Sequence, residues 1–321
     1  MTASTTCRTT AAKSAKSRIV AVGAIAVAGS LLLTGCGDQR DNKKGDGGKK
    51  VVDAPLSDML PASIRNKGVI KVGSDIAYPP VEFKDKNGDT VGIDPDIAEA
   101  MGKQLGVEFQ FDNGTFDTLL GGLRSKRYDI AMSAMTDTKN RQEGVDEETG
   151  KKVGKGVDFV DYFIAGVSIY TKKGEDQGIK TWSDLCGKKI VVQRGTVSHD
   201  MAKAESKKCK GGKKISIESF DNDQQAQTRL RSGGADAGSS DFPVAAYAVK
   251  TSGGGKDFQL VGEQVEAAPY GIAISKDNTK LRDAIKAALG AIIANGQYEK
   301  IIKEWGVEAG AVKEAKVNGG K

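Results

Sequence analysis

Residues 69–83 read VIKVGSDIAYPPVEF and residues 92–105 read GIDPDIAEAMGKQL, and these two stretches decide the fold class. The first opens with an apolar, β-branched run, 69–73, that ends in Gly73, as a short strand does on entering a loop. The second opens with Asp94, a good helix N-cap, followed by Pro95 at the first helical position. Ile97, Met101 and Leu105 then recur every fourth residue and give one apolar helix face. Outward from there, 107–111 reads as a strand. Phe116, Leu119, Leu120 and Leu123 mark a second helix, and 128–132 is the next strand. The order β-α-β-α-β predicts a parallel sheet with helices on its faces.

The same grammar restarts downstream. Strands are expected at 189–193, 215–220 and 235–239, with helices at 196–206 and 224–231 and another from Asp241. A strand at 270–274 and two helices, 279–295 and 297–305, close the chain. Two α/β lobes are therefore expected. Sheets of this class bind ligands beyond the carboxyl ends of their strands, so two facing lobes make a cleft. The last helices have no strand partner in the second unit and are expected to return to the first lobe.

Composition agrees. Of 321 residues, 38% are hydrophobic and 28% charged, with 41 Gly and 7 Pro, which excludes collagen-like, wholly disordered and multispan membrane classes. The formal net charge of +6 overstates the basicity. Residues 1–35 carry four basic residues (Arg8, Lys13, Lys16, Arg18) and no acid, and without them 44 basic residues face 42 acidic ones. A nucleic-acid partner is not expected from so small a surplus.

Those 35 residues read as an address. Basic residues up to Arg18 precede an uncharged apolar run, 19–33, which is 15 residues long, whereas a spanning helix needs about 20. Leu33-Thr34-Gly35-Cys36 resembles the lipobox of bacterial lipoproteins. The resemblance implies cleavage before Cys36, a lipid on its sulfur, and a mature chain of 286 residues on the outer face of the cell membrane. The segment 37–50, GDQRDNKKGDGGKK, has no large apolar side chain and reads as a flexible tether. A plain disordered terminus would have the same sequence.

Cys7 and Cys36 belong to the export region, leaving Cys186 and Cys209. In an exported chain this pair points to one disulfide. A metal site would need more ligands, and the chain has a single histidine, His199, and no Cys-x-x-Cys. Neither a metal nor a cofactor is expected.

The motif residues continue in an ordered series. After 72–83 and 92–98 come Phe116-Asp117-Thr118-Leu119-Leu120, Ser133-Ala134-Met135-Thr136 with Arg141, and Gln193-Arg194-Gly195-Thr196. Gly234-Ala235-Asp236-Ala237 with Asp241, and finally Trp305, complete it. The series resembles the polar amino-acid-binding proteins of ABC importers, extracellular solute-binding protein family 3, over about residues 65–307. The resemblance implies a two-lobe type II periplasmic binding protein fold with the ligand in the interlobe cleft. It places the first lobe at 65–163 and 266–321, the second at 164–265, and a tether from Cys36 at 36–64. The implied partners are a free amino acid and the transmembrane permease subunits, with membrane attachment through the lipid and a monomeric state.

A zwitterion taken from water needs both of its charges paired. Arg141 can grip a carboxylate with two parallel hydrogen bonds, and the resemblance assigns it that role, with Asp241 on the ligand's α-amino group. On sequence alone Arg141 reads first as a surface arginine in a polar run, 136–142, and its place in the ordered series reverses that, while Asp241 also reads as the N-cap of the helix that follows. Ser133 and Thr136 supply hydroxyls, and Thr196 supplies a hydroxyl with helix N-terminal amides. Caps and turns use such hydroxyls too. The resemblance makes Tyr78 and Phe116 the aromatic pair around the ligand side chain, although Phe116 also shares an apolar face with Leu119 and Leu123. It puts Asp75 at the distal end of that side chain and Gln193 on the pocket wall. An acid at Asp75 favours glutamine or a basic amino acid over glutamate. Arg194 would reverse the preference if it entered the cleft, but strand alternation sends it away from Gln193.

Three positions depart from the family pattern. Val81 stands where an aromatic is usual, Ala134 where serine is common and Val197 where threonine is frequent, so the last two offer the ligand only backbone groups. The segment 142–156 reads as an inserted loop or hairpin. No catalytic set is visible and His199 has no nucleophile paired with it by motif, so a binding protein is expected. The alternatives on the same fold are a dehydratase-like enzyme and a ligand sensor.

Overall fold

The computed structural model describes residues 54–146 and 149–321. The export segment, Cys36 and the segment 37–50 lie outside the described residues. The first half of the chain forms α1 (Ala62–Lys67), β1 (Val69–Ser74), β2 (Ala77–Tyr78), β3 (Glu82–Lys84), β4 (Thr90–Val91), α2 (Ile93–Leu105), β5 (Glu108–Asn113), α3 (Leu119–Arg124), β6 (Ile130–Ala131), α4 (Lys139–Glu143) and β7 (Val157–Lys172). The second half forms β8 (Lys189–Gln193), α5 (Val197–Lys208), β9 (Ser216–Phe220), α6 (Asp223–Arg231), β10 (Ala237–Asp241), α7 (Phe242–Thr251), β11 (Phe258–Ser275), α8 (Thr279–Ala294), α9 (Gln297–Trp305) and β12 (Ala311–Val317).

Two parallel sets of strands are joined through an antiparallel centre. β1 pairs with β5 and β6 in parallel, and β8 pairs with β9 and β10 in parallel. Between these sets, β6–β11, β11–β7 and β7–β10 are antiparallel. The sets are the sheets of the two lobes, and β7 and β11 run through both. Their mutual pairing is broken by register shifts at Val261/Val265 and Val265/Ala268, so the crossing between lobes is an irregular ribbon.

Each lobe buries both faces of its sheet. In the second, Ile190 and Val192 point to a core with Ala202, Ile215 and Leu185, while Val191 points the other way to Ala226, Leu230 and Ala245, as strand alternation requires. Cys186 and Cys209 form the expected disulfide, with a Cα–Cα distance of 5.6 Å, and tie the C-terminal end of α5 to the turn before β8. In the first lobe, α2 packs Ile97, Met101 and Leu105 into the core that holds Leu281, Ile285 and Leu289 of α8. The closing helices thus return to the first lobe.

Several expectations need correction. Asp94 is not the N-cap of α2. Gly92 is, at φ 135°, and a Cβ there would strike the carbonyl of Val81. Asp94 sits inside the first turn because its buried carboxylate accepts from the Ala134 amide at 3.2 Å. Residues 56–64, expected as part of the tether, belong to the first core, since Leu60 and Ile64 are buried in it and Leu56 N donates to Gln104 O at 3.0 Å. The strand expected at 270–274 is the end of an 18-residue strand. Helices do not close the chain, because β12 follows and pairs antiparallel with β7. Within 142–156, a bridge between Val145 and Lys152 closes a short hairpin after α4.

Candidate functional site

The carboxyl ends of four parallel strands converge between the lobes. β1 delivers Asp75, β6 delivers the segment from Ser133 to Thr136, β8 ends at Gln193 and leads into Thr196 and Val197 at the start of α5, and β10 ends at Asp241. With Tyr78, Phe116 and Arg141, all eleven residues singled out from sequence line one narrow pocket, and Glu82 is a twelfth.

Glu82 was hidden by the shortness of its strand. In the β2–β3 hairpin Tyr78 lies directly opposite Glu82, so both side chains share one face. Reading the hairpin would have carried Glu82 into the site with Tyr78. Glu82 is fully buried. Ser133 Oγ donates to its Oε1 at 2.7 Å and accepts from Asp75 N at 2.9 Å, so Ser133 links the Asp75 main chain to the Glu82 carboxylate.

Arg141 lies in the pocket. Its Nη1 donates to Thr136 O at 2.7 Å, its Nη2 to Gly195 O of the second lobe at 3.0 Å, and its guanidinium sits 5.4 Å from the centre of the Phe116 ring. Asp241 occupies the N-cap position of α7 but makes no side-chain cap bond. Instead Tyr270 Oη donates to its Oδ2 at 2.8 Å, and its own amide donates to Tyr78 Oη at 3.0 Å. Gln193 Nε2 donates to Asp75 Oδ2 across the lobes. Arg194 turns outward, 2.8 Å from Asp221 and 3.8 Å from Asp117.

Two expected hydrogen-bonding groups are already engaged. Thr196 Oγ1 caps α5 by accepting from His199 N at 3.2 Å and donates to Gln193 O at 2.8 Å, which leaves the first-turn amides of α5 as its contribution. Ala134 holds a left-handed φ of 45° and commits its N–H to Asp94. His199 braces the same loop by accepting from Gly195 N at 3.3 Å.

The wall is acidic. Burial, opposed by the Gln193 hydrogen bond, raises Asp75 to about 6. Burial likewise raises Asp241 to about 6 against the hydrogen bond from Tyr270 and the charge of Arg141. Asp223, behind the pocket, rises to about 7 through burial, as does Asp94. Glu82 is pushed well above the usual carboxylate range by burial and by the neighbouring Asp94. One cation, Arg141, therefore faces the carboxylates of Asp75 and Asp241, beside Glu82, whose charged form burial disfavours, and the pocket suits a ligand carrying a carboxylate and more than one positive charge.

Residues 70–308 match the bacterial extracellular solute-binding proteins, family 3. The chain belongs to this family. Its sequence is 32% identical to the arginine-binding protein ArgT of Corynebacterium glutamicum, over 94% of this chain and 96% of that protein. It is 31% identical to the ABC transporter arginine-binding protein 1 of Escherichia coli, over 80% of this chain and 98% of the relative. Among solved structures, an ancestral arginine-binding protein bound to arginine shares 37% identity with a TM-score of 0.67, covering 74% of this chain and 98% of that one. The family fold is the two-lobe binding-protein fold, and among the described residues no helix is long and apolar enough to cross a membrane.

Proposed function

We propose that this chain captures a basic amino acid, arginine foremost, outside the cell and hands it to the permease of an ABC importer. Glutamine is the neutral alternative. The observation that carries this reading is the buried Asp75 carboxylate, on the wall of a pocket that holds Arg141 and whose acids outnumber that one cation. A ligand guanidinium or ammonium pairs with Asp75, whereas the side chain of glutamate brings a further acid to the wall. Arginine binding by two relatives and by the ancestral protein supports the choice.

In this reading Arg141 holds the ligand carboxylate with the α5 amides, Asp241 holds its ammonium, and Tyr78 and Phe116 flank its side chain. The second lobe spans 164–265 and closes on the first about β7 and β11. Cys36 is the acylated N-terminus that keeps a monomeric protein on the outer face of the membrane. The protein binds without turnover. Calorimetry against the twenty amino acids tests the proposal, with arginine and lysine expected to bind most tightly and to be recovered unchanged. Tightest binding of glutamate, or conversion of the ligand, overturns it.

A further inference from the structure

The family match ends at residue 308, yet the chain continues into β12 and then into Asn318, Gly319, Gly320 and Lys321, which lie against β7 and the start of α4. Asn318 takes a left-handed φ of 56° and turns the chain across β7. Its Oδ1 accepts from Phe159 N at 2.8 Å and its Nδ2 donates to Asp158 Oδ1 at 3.0 Å. Gly319 N donates to Asp161 Oδ2 at 2.8 Å and Gly320 N to Asp137 Oδ2 at 2.8 Å. Lys321 O accepts from Lys139 N at 3.1 Å.

These contacts converge on α4. Asp137 directly follows Thr136, whose carbonyl holds Arg141, and its Oδ1 accepts from Gln142 Nε2 at 2.7 Å. A helix of five residues is far too short to hold itself. Its first amide is fixed by Lys321, and Gln142 is fixed through Asp137 by Gly320. Asp137 and Asp161 are buried neighbours, and burial with the adjacent Asp137 raises Asp161 to about 7. Residues 319 and 320 each supply one of these acids with a backbone N–H. Residue 320 must be glycine, because a Cβ there would strike the Asp137 backbone carbonyl, whereas one at Gly319 would meet only the tip of the Asp161 side chain.

We propose that residues 318–321 are a strap that positions Arg141 for the ligand carboxylate by holding α4 against β7. The proposal rests on the reading of Arg141 given above. Gly320→Ala forces the strap off by collision, and Asp137→Asn leaves either Gly320 N or Gln142 Nε2 without an acceptor while adding no bulk. Gly290→Ala, in open space on α8, is the control. Each strap variant should weaken every amino acid that binds the wild type by about ten-fold, leaving the ratios between ligands unchanged. In an Arg141→Ala background the same changes should cost less than about three-fold, because coupled residues are not additive. In ligand-free protein, hydrogen exchange of the α4 amides should rise by about ten-fold with α8 unchanged. Unchanged affinity in the folded variants, an equal loss without Arg141, or unchanged α4 exchange each overturns the strap. If the wild type binds no amino acid, the functional reading falls and α4 exchange alone decides the strap.

Discussion

Asp75 is the residue on which selectivity turns. Its carboxylate is buried and accepts from Gln193, a neutral donor that a ligand cation can replace with a charged one. Asp75→Asn should lower the affinity for arginine and lysine by about ten-fold or more, since a charge-assisted pair in a desolvated pocket is lost. Glutamine should change by less than about three-fold, as an amide still accepts from an amide. Arg141→Ala should weaken all ligands alike. Calorimetry of both variants checks this, and a uniform loss in Asp75→Asn would remove it from the selectivity-determining wall. Eleven of the pocket-lining residues were legible through the family resemblance, whose ordered motifs carry them. Glu82 was not, since its hairpin has strands of two and three residues, too short to show a period. The engaged states of Thr196 and Ala134 were also invisible, because a sequence shows which groups can hydrogen-bond and not which neighbours reach them first.

Among the elements, α5 depends on a covalent brace. Its C-terminal end carries Lys207 and Lys208 and ends at Cys209, bonded to Cys186 at a sequence separation of 23. Closing a loop of that length stabilises the folded chain by about 3 kcal/mol in the chain-entropy account. Replacing both cysteines by serine should lower Tm by roughly 5–10 °C while leaving arginine affinity within about two-fold, because the bond sits at the far end of α5 from Thr196 and Val197. A loss of binding with unchanged Tm would contradict this division of labour. Elements with clear periods, such as α2 and β8, were readable. β7 was not, since it is buried on both faces along nearly its whole length and so lacks alternation. β12 was hidden for a different reason. Its apolar residues Val312, Ala315 and Val317 are unevenly spaced among charges, and its register to β7 slips between Ala311 and Lys316.

At the scale of the whole molecule, the buried acids set opposite pH dependences for folding and for binding. Asp75 and Asp241 stand at about 6, and Asp94, Asp161 and Asp223 at about 7, whereas aspartate in an unfolded chain titrates near about 3.9. Between these values the folded state holds more protons than the unfolded one. The stability of the ligand-free protein should therefore be greatest near the unfolded value and decline as pH rises through the folded ones. Binding runs the other way. A ligand cation beside Asp75 and a ligand ammonium beside Asp241 favour the ionised carboxylates, so affinity is complete above their folded values and lost as pH falls through them. Each proton released on binding steepens that loss toward about ten-fold per pH unit, and two acids titrating together approach about a hundred-fold. Arg141 stays charged throughout this window, so the grip on the ligand carboxylate does not offset the loss. Melting curves of the ligand-free protein and arginine calorimetry from pH 5 to 8, in buffers of different ionisation enthalpy, measure both slopes and count the protons. An affinity for arginine that stays flat over this range would show that neither Asp75 nor Asp241 pairs with the ligand.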